Sequence, residues 1–273
     1  LGSEFRVVPL VDDYLAMVRD PAHGYGKNFN PCIDCKILML KHARRIMEDE
    51  GASFIATGEV VGQRPMSQYK QALAAIERKS GLEGLLVRPL SAKLMTPTVP
   101  EEKGWLDRER LYDIQGRGRT RQLELAKRWG IEGFSQPAGG CLLTDENFCR
   151  RLRDLIEQDR FTVPEIDFIK YGRYFRLGSD CRLSLGRDEI ENGALLYLVR
   201  PQDTVLRPAS LTGPTAVLRG TFTECELIVA ARIVARYTKG PGSAREIEVR
   251  RAGDKRVLDV ESLSDAEIEK MRV

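Results

Sequence analysis

Between Ile33 and Glu50 the apolar positions fall at Ile33, Ile37, Leu40, Ala43, Ile46 and Met47, a helical spacing that Gly51 ends. The short apolar run Ser53-Phe54-Ile55-Ala56 that follows predicts a buried strand. Ser67–Lys79 predicts a second helix, and Leu85-Leu86-Val87 a second strand. Arg6–Leu10 reads as a strand and Val11–Arg19 as a short helix, followed by a Gly- and Pro-containing loop from Pro21 to Pro31. Such alternation predicts a parallel sheet with flanking helices, whose ligands sit beyond the carboxyl ends of the strands, where Thr57-Gly58 falls. Further on, Thr120–Trp129 predicts a helix closed by Gly130, and Asp145 begins another that runs to about Gln158.

The texture changes near Asp159–Val163. Tyr174–Leu185 predicts a hairpin turned at Gly178-Ser179-Asp180, and Asp188–Leu198 a helix. Strands around Val205 and Ala216–Leu218 precede a helix from Glu224 to Tyr237. Glu246–Val249 and Arg256–Val260 close the chain as a hairpin around Gly253-Asp254. The fold class expected is therefore α/β over residues 1–160, followed by a smaller α+β domain over residues 161–273.

At 273 residues the chain has room for two domains, and its 42% apolar and 30% charged residues are ordinary for a globular protein. The net charge of +3 gives no global signature of a nucleic-acid partner, so local clusters matter more: Arg117, Arg119 and Arg121, with Lys127 and Arg128 behind them. A solvated helix face is the plain alternative for that cluster. No apolar run reaches the roughly 20 residues that span a bilayer, and no signal peptide is visible. Six cysteines are too sparse for a secreted disulfide scaffold, so a reducing cytoplasm is expected and no membrane partner. The chain opens on Leu1, and Gly2-Ser3-Glu4-Phe5 runs straight into the first expected strand. A preceding segment is expected from that.

Three cysteines stand out. Cys32 and Cys35 open the helix within Asn30-Pro31-Cys32-Ile33-Asp34-Cys35, and Cys141 follows Gly139-Gly140. A thiol at a helix N-terminus faces free N–H groups and the positive end of the helix dipole, so its pKa is expected to fall. Three such thiols could carry a persulfide, hold an iron–sulfur cluster with one open iron, or bind a structural zinc. His42 is a poor fourth zinc ligand, and a thioredoxin-like exchange pair would leave Cys141 unexplained. Cys149, Cys181 and Cys225 lack this context and read as small core side chains. His23, in a Gly-containing loop, reads as structural.

Asn30–Cys35, the helix, and Phe54-Ile55-Ala56-Thr57-Gly58 together resemble the tRNA 2-thiouridylases of the PP-loop superfamily. Thr57–Gln63, with Ser67-Gln68, looks more like the tRNA 4-thiouridine synthases. Ile169–Arg173, Leu185–Asn192 and Gly213-Pro214 resemble the NFACT-type RNA-binding module that follows the sulfur domain in a related bacterial group of predicted thiolases. The resemblance implies a partial PP-loop domain, akin to the adenine nucleotide alpha hydrolases, and ATP-dependent thiolation of a tRNA uridine. In that reaction ATP with Mg adenylates the base carbonyl, sulfur attacks, and AMP leaves. It implies Cys32, Cys35 and Cys141 as catalytic residues and as ligands of a [4Fe–4S] cluster, with a persulfide on Cys141 resolved by Cys35 as the alternative. The sulfur donor would be a cysteine desulfurase or free sulfide.

Thr57, Gly58 and Gln63 are the expected nucleotide contacts, with an ordinary loop as the alternative for Gln63 and Arg64. The superfamily's phosphate loop, Ser-Gly-Gly-x-Asp-Ser, is absent from these residues, so this chain by itself is expected not to complete adenylation. Arg117, Arg119, Arg121, Lys170, Arg173 and Arg187 are the candidate RNA phosphate contacts. Tyr171 and Tyr174 could stack on bases, although aromatics beside a hairpin are more often core. A non-catalytic RNA-binding protein whose cysteines hold a structural metal is the competing class, and a thiol–disulfide redox protein a third.

Overall fold

The computed structural model describes residues 4–133 and 141–273. Contacts divide the chain into two compact units, Leu1–Asp145 and Glu146–Val273. The division falls earlier than the change of texture at Asp159–Val163, because the helix Glu146–Glu157 packs on the helix Val163–Lys170. Tyr174, weighed as a base-stacking candidate against the commoner core role, is fully buried and its hydroxyl donates to Asp154 Oδ2 at 3.0 Å. That bond fixes the earlier helix to the later hairpin.

The first unit contains α1 (Val11–Arg19), α2 (Cys32–Asp49), β1 (Ile55–Ala56), α3 (Lys70–Ser80), β2 (Leu86–Val87), α4 (Val99–Glu102) and α5 (Thr120–Arg128). Its parallel sheet is small: β1 and β2 pair as Ile55↔Leu86 and Ala56↔Val87. The expected strand at Arg6–Leu10 does not form. Phe5 and Val7 stand exposed there, and an apolar run with no neighbouring strand has nothing to pair with. Ile37, Leu40 and Met47 of α2 meet Ile76 of α3 and Leu82 and Leu86 in the unit's core. Beside that core lies a buried ion network. Arg88 donates through Nε to Glu59 Oε2 (3.2 Å) and through a terminal nitrogen to Glu77 Oε2 (2.7 Å), and Lys36 approaches Glu59 Oε1 at 3.4 Å. The network joins the cysteine-bearing helix to the segments following both strands.

The second unit runs α6 (Glu146–Glu157), α7 (Val163–Lys170), β3 (Arg173–Arg176), β4 (Arg182–Leu185), α8 (Glu189–Tyr197), β5 (Thr204–Pro208), β6 (Ala216–Arg219), α9 (Glu224–Tyr237), β7 (Ala244–Arg251), β8 (Asp254–Glu261) and α10 (Asp265–Glu269). Its six strands form an antiparallel sheet in the order β3-β4-β6-β5-β7-β8. Successive side chains in a strand point to opposite faces. Phe175, Leu183, Leu185, Leu206, Ala216, Leu218, Ile247 and Val249 share one face and pack with Leu227, Ala230, Ala231, Ile233 and Val234 of α9. A reciprocal capping box between Thr223 and Glu226 starts that helix. At the β3 edge, Arg176 N–H donates to Met271 O and Val273 N–H to Tyr174 O.

The opposite face carries charge. Arg182 and Arg219 face each other across β4 and β6. Glu165 of α7 accepts from Arg182 at 2.8 Å and also meets Arg200 at 2.7 Å. Asp203 grips Arg219 through both carboxylate oxygens, and the Arg219 guanidinium lies 4.0 Å from the centre of the Phe168 ring.

The residues that carry the likeness over 169–192 lock the backbone. Gly172 has φ +76°, and a side chain there would come within 2.2 Å of Leu185 O. Glu191 accepts from Arg187 N–H (2.8 Å) and Nε (2.9 Å), and Asn192 Oδ1 accepts from Thr215 N–H at 2.9 Å.

Glu165→Gln leaves the buried arginines short of a counter-charge and is expected to destabilise the second unit by about 3–5 kcal/mol. The cap variant Thr223→Ala should cost about 1 kcal/mol. Calorimetric melting of the full chain orders the two. Acid provides a second check. Hydrogen bonds from Arg187, foremost, hold the Glu191 carboxyl down to about 2 from its ordinary 4.5. Because the folded value is the lower one, its stabilisation is complete above about 4.5 and is lost as the pH falls towards 2. Melting temperatures measured from pH 6 to pH 2.5 should fall mainly below 4.5, and Glu191→Gln should flatten part of that fall.

Candidate functional site

Cys32 is the first residue of α2, following Pro31, and Cys35 lies one turn on, its N–H donating to Pro31 O at 2.8 Å. The Asn30 amide sits over the helix start and donates to Cys32 Sγ (3.4 Å) and to Met66 Sδ (3.2 Å). Cys141 is exposed just ahead of a short 3₁₀ turn at Leu142–Thr144. Gly139 and Gly140, expected to deliver it, lie outside the described residues.

The three expected cysteines influence one another and Tyr14 through their charges, without forming a three-ligand group among the described residues. The Tyr14 hydroxyl on α1 has its pKa pushed up to about 12, chiefly by burial and then by the charges that Cys35, Cys141 and Cys32 would carry as thiolates. The Cys35 thiol is likewise raised. Burial is the main cause, Lys36 opposes it, and Cys141 and Cys32 add to it. This reverses the expected fall for Cys35: desolvation of a half-buried thiol outweighs the helix start and Lys36 together.

The chemistry of this set can be weighed against a cluster or a metal ion. Both need deprotonated thiols converging at coordination distance. Among the described residues no group of three His, Cys, Asp or Glu side chains could hold a metal ion. His42, weighed as a fourth ligand, is committed to Asp13 Oδ2 at 2.9 Å. The arrangement as it stands does not fit an iron–sulfur cluster or a zinc ion.

The nucleotide candidates are also engaged. Thr57 Oγ1 donates to Glu59 Oε2 (3.3 Å) and Thr57 N–H to Val87 O. Gln63 Nε2 donates to Gln122 Oε1 on α5 at 3.0 Å. Gly58 is exposed, with nothing within 4 Å of where a side chain would begin. These donors do not present a free set for a triphosphate. His23 is structural, as expected. Its N–H and Nδ1 donate to Asp34 at 2.9 and 2.7 Å, and its Nε2 accepts from Lys79 at 2.6 Å, joining α2 and α3.

Of the RNA candidates, Arg121 pairs with Asp113 (2.7 Å), Lys170 with Asp167 (2.5 Å) and Arg187 with Glu191. The Arg173 guanidinium lies over the Tyr237 ring, 4.4 Å from its centre. Arg119 is half-buried at the head of α5, and Arg117 is exposed with no ion pair among the described residues. A denser basic surface escaped the sequence reading. Lys41, Arg44, Arg45, Arg78 and Lys79 line a cleft of about 460 Å³, with Glu48 its one acidic lining residue. The spacing of Lys41, Arg44 and Arg45 on one helix face was the available signal. Tyr14 had no signal in sequence, since nothing there tells which residue of α1 meets the thiols. Cys149 and Cys181 are buried as expected, the latter with its pKa driven up to about 12 chiefly by burial, whereas Cys225 is exposed.

Residues 172–272 match the family described as the NFACT protein RNA binding domain. No curated protein matches the chain. Among solved structures, the C-terminal part of the fibronectin/fibrinogen-binding protein from Streptococcus suis is similar at 12% identity, over 88% of this chain and 94% of that one, with a TM-score of 0.34.

Exposure and burial make the thiols unequal. With iodoacetamide at pH 7.5, Cys141 and Cys225 should be alkylated first, and Cys35 at least several-fold more slowly. The Cys35 rate should keep climbing at alkaline pH after that of Cys225 has levelled off, because burial raises the Cys35 pKa. Peptide mass spectrometry over a time course reads this directly.

Proposed function

We propose that this chain binds RNA through residues 172–272 and that the thiols of its first unit carry sulfur for the thiolation of a tRNA uridine. The match of residues 172–272 to an RNA-binding family carries the first half. The shared electrostatic field of Cys32, Cys35, Cys141 and Tyr14 supports the second. With the set ill-suited to a cluster, a persulfide is the form of carried sulfur that these side chains favour.

Exposed Cys141 is the natural acceptor, taking sulfane sulfur from a cysteine desulfurase to become Cys141–S–SH. Deprotonated Cys35 then attacks the inner Cys141 sulfur. The S–S bond to the terminal sulfur breaks, and that sulfur leaves with the electron pair as hydrosulfide. A Cys35–Cys141 disulfide forms, and an external thiol reopens it. Hydrosulfide is the nucleophile that a uridine carbonyl requires once activated. Lys36 is the neighbour that favours the Cys35 thiolate, against the burial that raises its pKa.

The test loads the chain with ³⁵S from labelled cysteine and a cysteine desulfurase, beside tRNA binding measured by filter retention. The wild type should bind tRNA and carry reductant-labile label at Cys141. Cys141→Ala should keep RNA binding and lose the label, and Cys225→Ala should keep both. Binding without label on the wild type would reduce the protein to an RNA-binding module with structural thiols, the competing class.

A further inference from the structure

Four arginines are buried among the described residues: Arg88, Arg182, Arg219 and Arg245. Three have carboxylates against them: Arg88 has Glu59 and Glu77, Arg182 has Glu165, and Arg219 has Asp203. Arg245 has none. It is 7% exposed, and its terminal nitrogens donate only to carbonyl oxygens, those of Gly240 (2.7 Å), Pro241 (2.9 Å) and Ala244 (2.7 Å). Its Nε has no partner. A full positive charge removed from water and answered only by carbonyl dipoles is costly unless an anion completes it.

The place of that charge is as telling as its lack of a partner. Arg245 shares a sheet face with Ile247 and Val249, the face that α9 covers, at the end where α9 gives way to Thr238-Lys239-Gly240-Pro241-Gly242-Ser243. Lys239, Gly240, Gly242, Ser243, Arg245 and Ser262 line an open cavity of about 580 Å³ there. Lys239 is exposed and forms no ion pair among the described residues, whereas Arg236 is held by Asp265 at 2.8 Å. No acceptor among the described residues takes the N–H of Gly240, Gly242 or Ser243, and both glycines stand at positive φ. Unbonded N–H groups within one short loop, hydroxyls of Ser243 and Ser262, and two cations around one hollow are the donor set of a phosphate.

We propose that the Thr238–Arg245 loop is a phosphate site that seats one backbone phosphodiester of bound RNA. The assignment rests on the RNA-binding reading of residues 172–272 and gives that module a specific anchor. Lys239 supplies the exposed charge, the loop N–H groups and Ser243 supply the directional donors, and Arg245 holds the loop from beneath.

The experiment uses the full chain in two arms. In the first, tRNA binding is measured from 50 to 250 mM salt for the wild type, Lys239→Ala and Ser243→Ala, with Lys270→Ala as a surface control. Lys239→Ala should weaken binding several-fold and reduce the slope of log K against log salt by about one, the loss of one phosphate contact. Ser243→Ala should weaken binding while leaving the slope unchanged. In the second arm, inorganic phosphate is titrated against ¹⁵N-labelled protein, and the amides of Gly240, Gly242 and Ser243 should shift together and saturate. Because Arg245 braces the loop, Arg245→Gln is read only in the phosphate titration and beside a melting curve; a folded variant should lose the shifts.

Wild-type RNA binding that Lys239→Ala leaves unaltered in strength and slope overturns the RNA anchor while sparing the RNA-binding reading. Absence of wild-type RNA binding sinks that reading. Saturable shifts in that case would mark a site for free phosphate and overturn its assignment to RNA. No shift in either state of the protein overturns the site altogether.

Discussion

Arg182 and Arg219 stand directly opposite one another on neighbouring strands, and two like charges at such a pair repel. They stay buried because Glu165 and Asp203 lie against them, with Arg200 closing the outer side of Glu165. The arrangement fixes more than charge. Glu165 brings α7 onto the sheet, and Asp203 fixes the entry to β5. Arg219 also donates to Leu198 O at the end of α8, so one guanidinium ties two connections to the middle of the sheet. A slip of one residue would turn both arginines into the apolar core.

The first unit relies on a related device with a smaller sheet. Two residues of parallel pairing cannot set a fold, so the Glu59–Arg88–Glu77 network and the core between α2 and α3 do much of the positioning. Lys36 links that network to the helix of Cys32 and Cys35. The same helix therefore answers to the buried carboxylate on one side and to the thiols on the other. Cys35 does not behave as its position at a helix start implies because its burial outweighs the help that Lys36 gives its thiolate.

Much of the second unit was legible because its signals are local. The Glu224–Tyr237 helix, the hairpin at Gly178-Ser179-Asp180 and the closing hairpin at Gly253-Asp254 are announced by periodicity and turn chemistry, and each forms where expected. The first unit was legible in its helices and less so in its sheet, since an apolar pair such as Leu86-Val87 does not say how many strands lie beside it. Arg6–Leu10 shows the limit: strand-like residues make a strand only when another edge is present. The cysteines could be named from sequence, but the raised pKa of Cys35 could not, because burial is a property of the packed chain. The RNA candidates fared similarly. Sequence shows where arginine is, and only structure shows that Arg187 is spent on Glu191 and Arg121 on Asp113.

The two borders of the antiparallel sheet are finished differently. Arg272 bridges to Phe175, so the last residues lie along β3 as a selvedge. Among the described residues β8 pairs only with β7, and its outer margin is left to Asp254, Lys255, Arg256, Asp259 and Glu261. Charges of mixed sign along an open strand discourage stacking of one sheet on another. Salt screens such exposed charges, so the protection they give the open strand weakens as ionic strength rises, without any change in the fold they border.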